Sequence, residues 1–175
     1  MRTLLVCLLA ASASLANLSA GRLDVAVVQF PEEKTTGELD AALAGQNLFE
    51  ITNSDRTMTK ESYLKGGSVL FSQSLTVASG SAFASVTRIK NQRADVQGKL
   101  AGGTLSLSIE LIEGVKAGLR SFQNKLYSGS APLPAGAPRV LSIRRIHGKA
   151  PKVVKGIAKM ETYDLTTAII AQYTP

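Results

Sequence analysis

The chain has no tryptophan, one histidine and one cysteine, and aromatic residues make up 5% of it. The cysteine is Cys7, inside an N-terminal apolar run, so everything after it lacks a thiol. That excludes disulfide staples and thiolate metal centres from the body of the protein and leaves its stability to a packed core. A lone histidine, His147, makes no recognisable metal constellation. The scarcity of aromatic side chains removes the stacking platforms of nucleic-acid binders, and also the paired girdles of a monomeric membrane barrel. Neither a Gly-x-Gly-x-x-Gly nor a Gly-x-x-x-x-Gly-Lys-[Ser/Thr] cradle for phosphates occurs, and no serine stands in a Gly-x-Ser-x-Gly elbow. Glu32-Glu33 and Glu110…Glu113 are the closest carboxylate pairs, and ordinary surface exposure explains both. No catalytic residue, metal ligand or cofactor is assigned, and the chain is not expected to be an enzyme.

What is present begins at the N-terminus. Met1-Arg2-Thr3 is a short basic start, Leu4 to Ala11 is apolar, and small residues run from Ser12 to Gly21. That order is the pattern of a secretory signal peptide. The run is far below the roughly 20 residues that a membrane-spanning helix needs. Residues 1–20 are therefore expected to be a signal, cleaved after Ala16 or Ala20, and the remainder to be exported to the periplasm or the outer-membrane region. About 150 residues then remain, enough to bury one self-supporting core, so 21–175 reads as one domain.

The formal net charge is +7. The basic residues gather late, at Arg139, Arg144, Arg145, Lys149, Lys152, Lys155 and Lys159. Inside a cell such a run points to nucleic acid; export turns the expectation towards anionic lipid, cell-wall polymer or acidic protein.

Strand signals dominate. Arg22 to Phe30 (RLDVAVVQF) is β-branched and stops at Pro31. Thr35 and Glu38 have the spacing of a capping box, with Leu39, Ala42 and Leu43 on one face and Gly45 placed to end the helix. This is the one short helix expected. Leu48 to Thr52 reads as a short strand. Ser68 to Ala78 and Ser81 to Ile89 flank Ser79-Gly80, and Asp95 to Leu100 and Thr104 to Leu111 flank Ala101-Gly102-Gly103, so two hairpins are predicted. Leu105, Leu107, Ile109 and Leu111 alternate with Thr104, Ser106, Ser108 and Glu110, which requires one dry and one wet face. Glu113 to Tyr127 reads as strand or irregular structure, because Gly114 and Gly118 weaken a helix. Ser128 to Pro138 reads as a long loop, rich in proline. Arg139 to Ile146, Pro151 to Met160 and Asp164 to Tyr173 read as three strands, with His147-Gly148 as a turn. The fold class is mainly β, a layered sheet or sandwich.

Several of these segments resemble, in order, the C-terminal domain of bacterial secretins. Ser68 to Ala84 (SVLFSQSLTVASGSAFA) is similar to a strand, Ser-Gly turn and strand of that family. Gly102 to Ile109 (GGTLSLSI) resembles its Gly-x-x-Leu-x-Val strand, Gly148 to Ile157 (GKAPKVVKGI) its late hairpin, and Ala168 to Pro175 (AIIAQYTP) its closing strand. The family's Val-Pro-Leu-Leu-Gly-Asp-Ile-Pro segment, between the last two strands, has no counterpart in Glu161-Thr162-Tyr163. The resemblance thus implies a trimmed, solitary relative, an envelope assembly component rather than a working channel.

The role expected is non-enzymatic: protein–protein contact in an envelope assembly, with envelope proteins or a second copy as partner, and no nucleic acid. A module binding a small ligand or glycan is the alternative, and it requires a concave apolar pocket with a few convergent polar groups. A secreted hydrolase built on His147 is the third class.

Overall fold

Every second residue of an ordinary half-exposed strand is polar, but within Arg22 to Phe30 the residues Val25 to Val28 form an unbroken apolar run. The computed structural model, which describes residues 20–53, 67–89, 92–113, 122–154 and 157–175, supplies the reason. Strand β1 (Ala20–Phe30) lies between two apolar layers. Leu23, Val25 and Val27 face a second sheet, while Ala26, Val28 and Phe30 face two helices. A strand that is dry on both faces cannot alternate.

After β1 come α1 (Thr36–Leu43) and α2 (Leu48–Asn53). The strands that follow are β2 (Ser68–Ala78), β3 (Ala82–Ile89), β4 (Gln92–Ala101), β5 (Thr104–Glu113), β6 (Phe122–Pro132), β7 (Arg139–Val154) and β8 (Ile157–Thr174). One antiparallel sheet has the order β2-β1-β8-β7 and the other β3-β4-β5-β6. The sheets stack on a core that includes Leu23, Val25, Phe71, Val96, Leu105, Ile109 and Ile169. The helices cover the far side of the first sheet, where Leu39, Leu43, Leu48 and Ile51 pack on Phe30 and Ile170. The domain is therefore a β-sandwich with a helical third layer. Among the described residues no helix is long and apolar enough to cross a membrane.

The expected alternation of β5 holds: Leu105, Leu107 and Ile109 are buried and Leu111 packs against the same core. Gly102 and Gly103 carry the two-residue turn between β4 and β5, both at positive φ (56° and 74°) as a type I′ turn requires. The capping box of α1 also forms: the Glu38 carboxylate accepts the Thr35 N–H at 2.7 Å, and the Thr35 hydroxyl accepts the Glu38 N–H at 3.2 Å.

The bonds that the Glu38 carboxylate receives, first of all the one from the Thr35 hydroxyl, hold it below the usual carboxylate range. A folded-state value that is lowered makes its contribution above the unfolded value and loses it as pH falls through the folded one. Protection of the α1 amides from hydrogen exchange is thus expected to drop as pH falls through and below the ordinary carboxylate range. A Thr35→Ala variant should start with the lower protection and lose much less over the same range.

Four expectations are corrected. Leu48 to Thr52 is helical, not a strand. Asn47 turns its side-chain oxygen onto the Phe49 N–H at 3.0 Å, and burial of Leu48 and Ile51, three residues apart, favours the helix over the β-propensity of the run. Ser79-Gly80 is not a hairpin: β2 pairs with β1 and β3 pairs with β4, in different sheets. The chain turns a corner there, with Gly80 at φ +82° and its N–H on the Leu100 carbonyl at 2.7 Å. Ser128 to Pro138 is not all loop, since β6 continues to Pro132, with Ser130 opposite Ser106 and their hydroxyls 2.8 Å apart. As the last residue of an edge strand, Pro132 costs the sheet little by lacking an N–H. Finally, the three C-terminal strands are two long ones, and His147-Gly148 and Glu161-Thr162 lie within them.

The expected signal at Met1 to Ala20 lies outside the described residues except for Ala20, which begins β1. Of Glu113 to Tyr127, residues 114–121 lie outside them too, and Phe122 onwards is strand.

Candidate functional site

The longest strands, β7 and β8, pair with each other from Arg139↔Ala171 to Val154↔Ile157. β1 covers the other edge of β8 only as far as Thr166. From Ile146 and Leu165 outwards the two strands form a ribbon that pairs, among the described residues, with no third strand. At roughly 3.4 Å per residue this ribbon projects by about 30 Å. An isolated two-stranded ribbon is marginal in water.

The root of the ribbon is fastened. Arg145 Nη1 meets Glu33 Oε1 at 2.7 Å, which ties β7 to the segment between β1 and α1. His147 Nδ1 lies 2.6 Å from Asp164 Oδ1 across the strands, both side chains at least half exposed. Gly148 stands opposite Tyr163, and the Tyr163 ring covers the space where a Cβ would lie. An aromatic side chain laid over a cross-strand glycine shields the bare backbone, which is why a glycine persists inside this strand. Met160 is 65% exposed and Tyr163 is partly exposed. The ribbon is therefore basic by sequence, partly apolar in its exposed side chains, and without a neighbouring strand on either edge among the described residues.

His147 thus belongs to a strand and is solvated, as expected, although it is not in a turn. Its hydrogen bond among the described residues runs to Asp164 alone, with no serine joined to the pair. Glu32 is paired with Lys34 at 2.6 Å and Glu33 with Arg145, so neither faces a partner carboxylate across a cleft. Among the described residues no three His, Cys, Asp or Glu side chains gather as metal ligands would.

A buried polar cluster goes beyond the sequence expectations. Asp24 is 2% exposed on the helix side of β1; it accepts from Arg22 Nε at 2.9 Å and from the Ser74 hydroxyl. Opposite Asp24 in register is Gln172, also buried, which accepts the Leu48 N–H at 2.6 Å and donates to the Gly136 carbonyl at 2.8 Å. The Arg22 guanidinium lies 4.6 Å above the Phe49 ring. Together these groups hold α2 and the loop before β7 onto the sheet, so the cluster is architectural. The one signal for it in the sequence is Asp24 itself, a carboxylate inside an otherwise apolar strand.

Comparison with family models, with curated proteins and with solved structures finds no match to this chain.

Proposed function

We propose that this protein is a non-enzymatic component of a cell-envelope assembly and that it works by protein–protein contact through the β7–β8 ribbon. The observation that carries the reading is that, among the described residues, neither edge of the ribbon beyond Ile146 and Leu165 has a neighbouring strand. Open strand edges are templates for another strand, and natural proteins usually blunt or cover them. Strand addition from a partner supplies main-chain hydrogen bonds, while the lysines of the ribbon set its orientation towards acidic surface. The secretin-like order of segments and the signal-like N-terminus support an envelope location within the same proposal.

The test is association of the chain with itself. Sedimentation velocity in mild detergent, over a range of protein concentration, is expected to reveal dimers or larger species. Deleting Lys149–Val154 together with Ile157–Thr162 removes residues whose strand pairing is with each other. That shortened protein should remain folded, with a stability change within about 0.5 kcal/mol, because the strand pairing it removes is internal to the ribbon and leaves the pairing of β1 with β2 and β8 intact. It should also stay monomeric. A strict monomer from the unshortened chain, or equal association by the shortened one, would overturn the proposal.

A further inference from the structure

At the end of the sandwich where the ribbon departs, the two sheets leave a cavity of about 140 Å³ between them. Leu111, Leu126 and Asn124 line it from the second sheet, and Ile146, Ile169, Gln29 and Thr167 from the first, so its walls are apolar with polar groups between. Past the bulge at Val140/Ser142, β7 sets Ser142, Arg144 and Ile146 on the side that faces the second sheet. Ser142 is small, and its position leaves room that a larger side chain would fill. Arg144 lines the same cavity and reaches solvent, and among the described residues its side chain makes no ion pair or hydrogen bond. Its neighbour Arg145, on the opposite face of the strand, is neutralised by Glu33.

A space of this size holds about one benzene ring. Small-molecule sites combine such apolar walls with a few polar groups that fix orientation. A guanidinium with free donors at the edge of a cavity with leucine and isoleucine in its walls matches a carboxylate, which it can hold by two parallel hydrogen bonds. We propose that this cavity is a binding site for a small amphiphilic monoanion, an aromatic or six-carbon aliphatic carboxylate. The apolar part lies among Leu111, Leu126, Ile146 and Ile169, and the carboxylate meets Arg144. The site is independent of docking by the ribbon, since its walls belong to the sandwich and the ribbon's root.

Benzoate and hexanoate are the probes, with benzyl alcohol and hexanol as neutral counterparts, each titrated into the full chain and followed by NMR shifts. The carboxylates are expected to bind about tenfold more tightly than the alcohols, the worth of one charge-assisted contact, with the largest shifts at Leu111, Leu126 and Ile146. Arg144→Gln should bring the carboxylates down to the affinity of the alcohols and leave the alcohols unchanged. A merely structural role for Arg144 would weaken both classes alike. Ser142→Leu should abolish binding of all four probes. If that variant fails to fold, the comparison of charged and neutral probes in Arg144→Gln still decides. Equal affinity for carboxylates and alcohols, shifts elsewhere on the protein, or no shifts at about 10 mM probe would overturn the proposal.

Discussion

Replacing Gly98 with alanine is expected to destabilise the domain by about 3 kcal/mol or to prevent folding, read from the urea midpoint. Gly98 lies on β4, with Phe83 of β3 on one side in register and Leu107 of β5 on the other. A Cβ there would overlap the Ser106 carbonyl oxygen, stand 2.8 Å from the Phe83 ring and stand 3.3 Å from the Leu107 Cα. Two of those three neighbours are backbone and have no rotamer to escape into. The β4–β5 pairing itself would have to open, between the flanking core pairs Val96↔Ile109 and Leu100↔Leu105. Overpacking a well-filled core usually costs about 1–3 kcal/mol, and more where the backbone must shift.

Gly148→Ala is the internal control. Its Cβ would also overlap a neighbour, but that neighbour is the far end of the Tyr163 side chain on the partly exposed ribbon. The ring can swing aside, so the cost is expected below about 1 kcal/mol, as for substitutions away from a core. Equal midpoints for the two variants would contradict the strand register around Gly98.

The same two glycines explain much of what the sequence could and could not reveal. A glycine between apolar runs has several uses: a turn, a close approach, or a site covered by an aromatic ring. At Gly102-Gly103 the turn reading holds, because two adjacent glycines at positive φ close a tight hairpin with little else required. At Gly148 the turn reading fails, because the partner that explains it, Tyr163, is defined only once β8 folds back along β7. Gly80 lies between the two cases: the chain does turn there, yet the turn joins different sheets. Local chemistry specified that bend but not its destination, which depends on β1 capturing β2.

The face pattern of β5, the cap of α1 and the apolar β1 were legible because each is written in residues a few positions apart. The cavity at Arg144 and the buried pair Asp24 and Gln172 were not. Each is assembled from segments distant in the chain, and strand periodicity carries no information about which segments meet. The ribbon was half legible: its lysines stood out in the sequence, whereas its projection beyond β1 follows from a difference in strand length that only the pairing reveals.

Gln172 is where the helical layer is most exposed to a single change. Its side chain is the hydrogen-bond acceptor of the Leu48 N–H, at the start of α2, and the donor to the Gly136 carbonyl, in the loop before β7. Gln172→Leu roughly keeps the side-chain volume but leaves the Leu48 N–H and the Gly136 carbonyl without that partner. Leu48 is buried and Gly136 is exposed, so the orphaned Leu48 N–H sets the cost at about 1–3 kcal/mol, and a loss of about 2 kcal/mol in urea unfolding is expected. The loss should be visible first as faster amide exchange at Leu48 and Ile51, with β5 amides changed only by the global fall in stability. Gln172→Glu separates the two bonds. A carboxylate still accepts from Leu48, but it cannot donate to Gly136 when ionised. It would also stand directly opposite Asp24, a carboxylate already buried in the sheet. Burial and a like charge both favour the protonated acid, so the folded-state value of the introduced carboxyl would lie above its unfolded value. Its penalty is therefore largest at neutral pH and should shrink as pH falls towards the ordinary carboxylate range. A Gln172→Glu protein that gains stability relative to the parent on mild acidification, while Gln172→Leu does not, would show that an ionised carboxyl is penalised at that position, by burial and by the facing Asp24 together. If the two variants respond to pH in parallel, the position does not penalise a charged carboxyl.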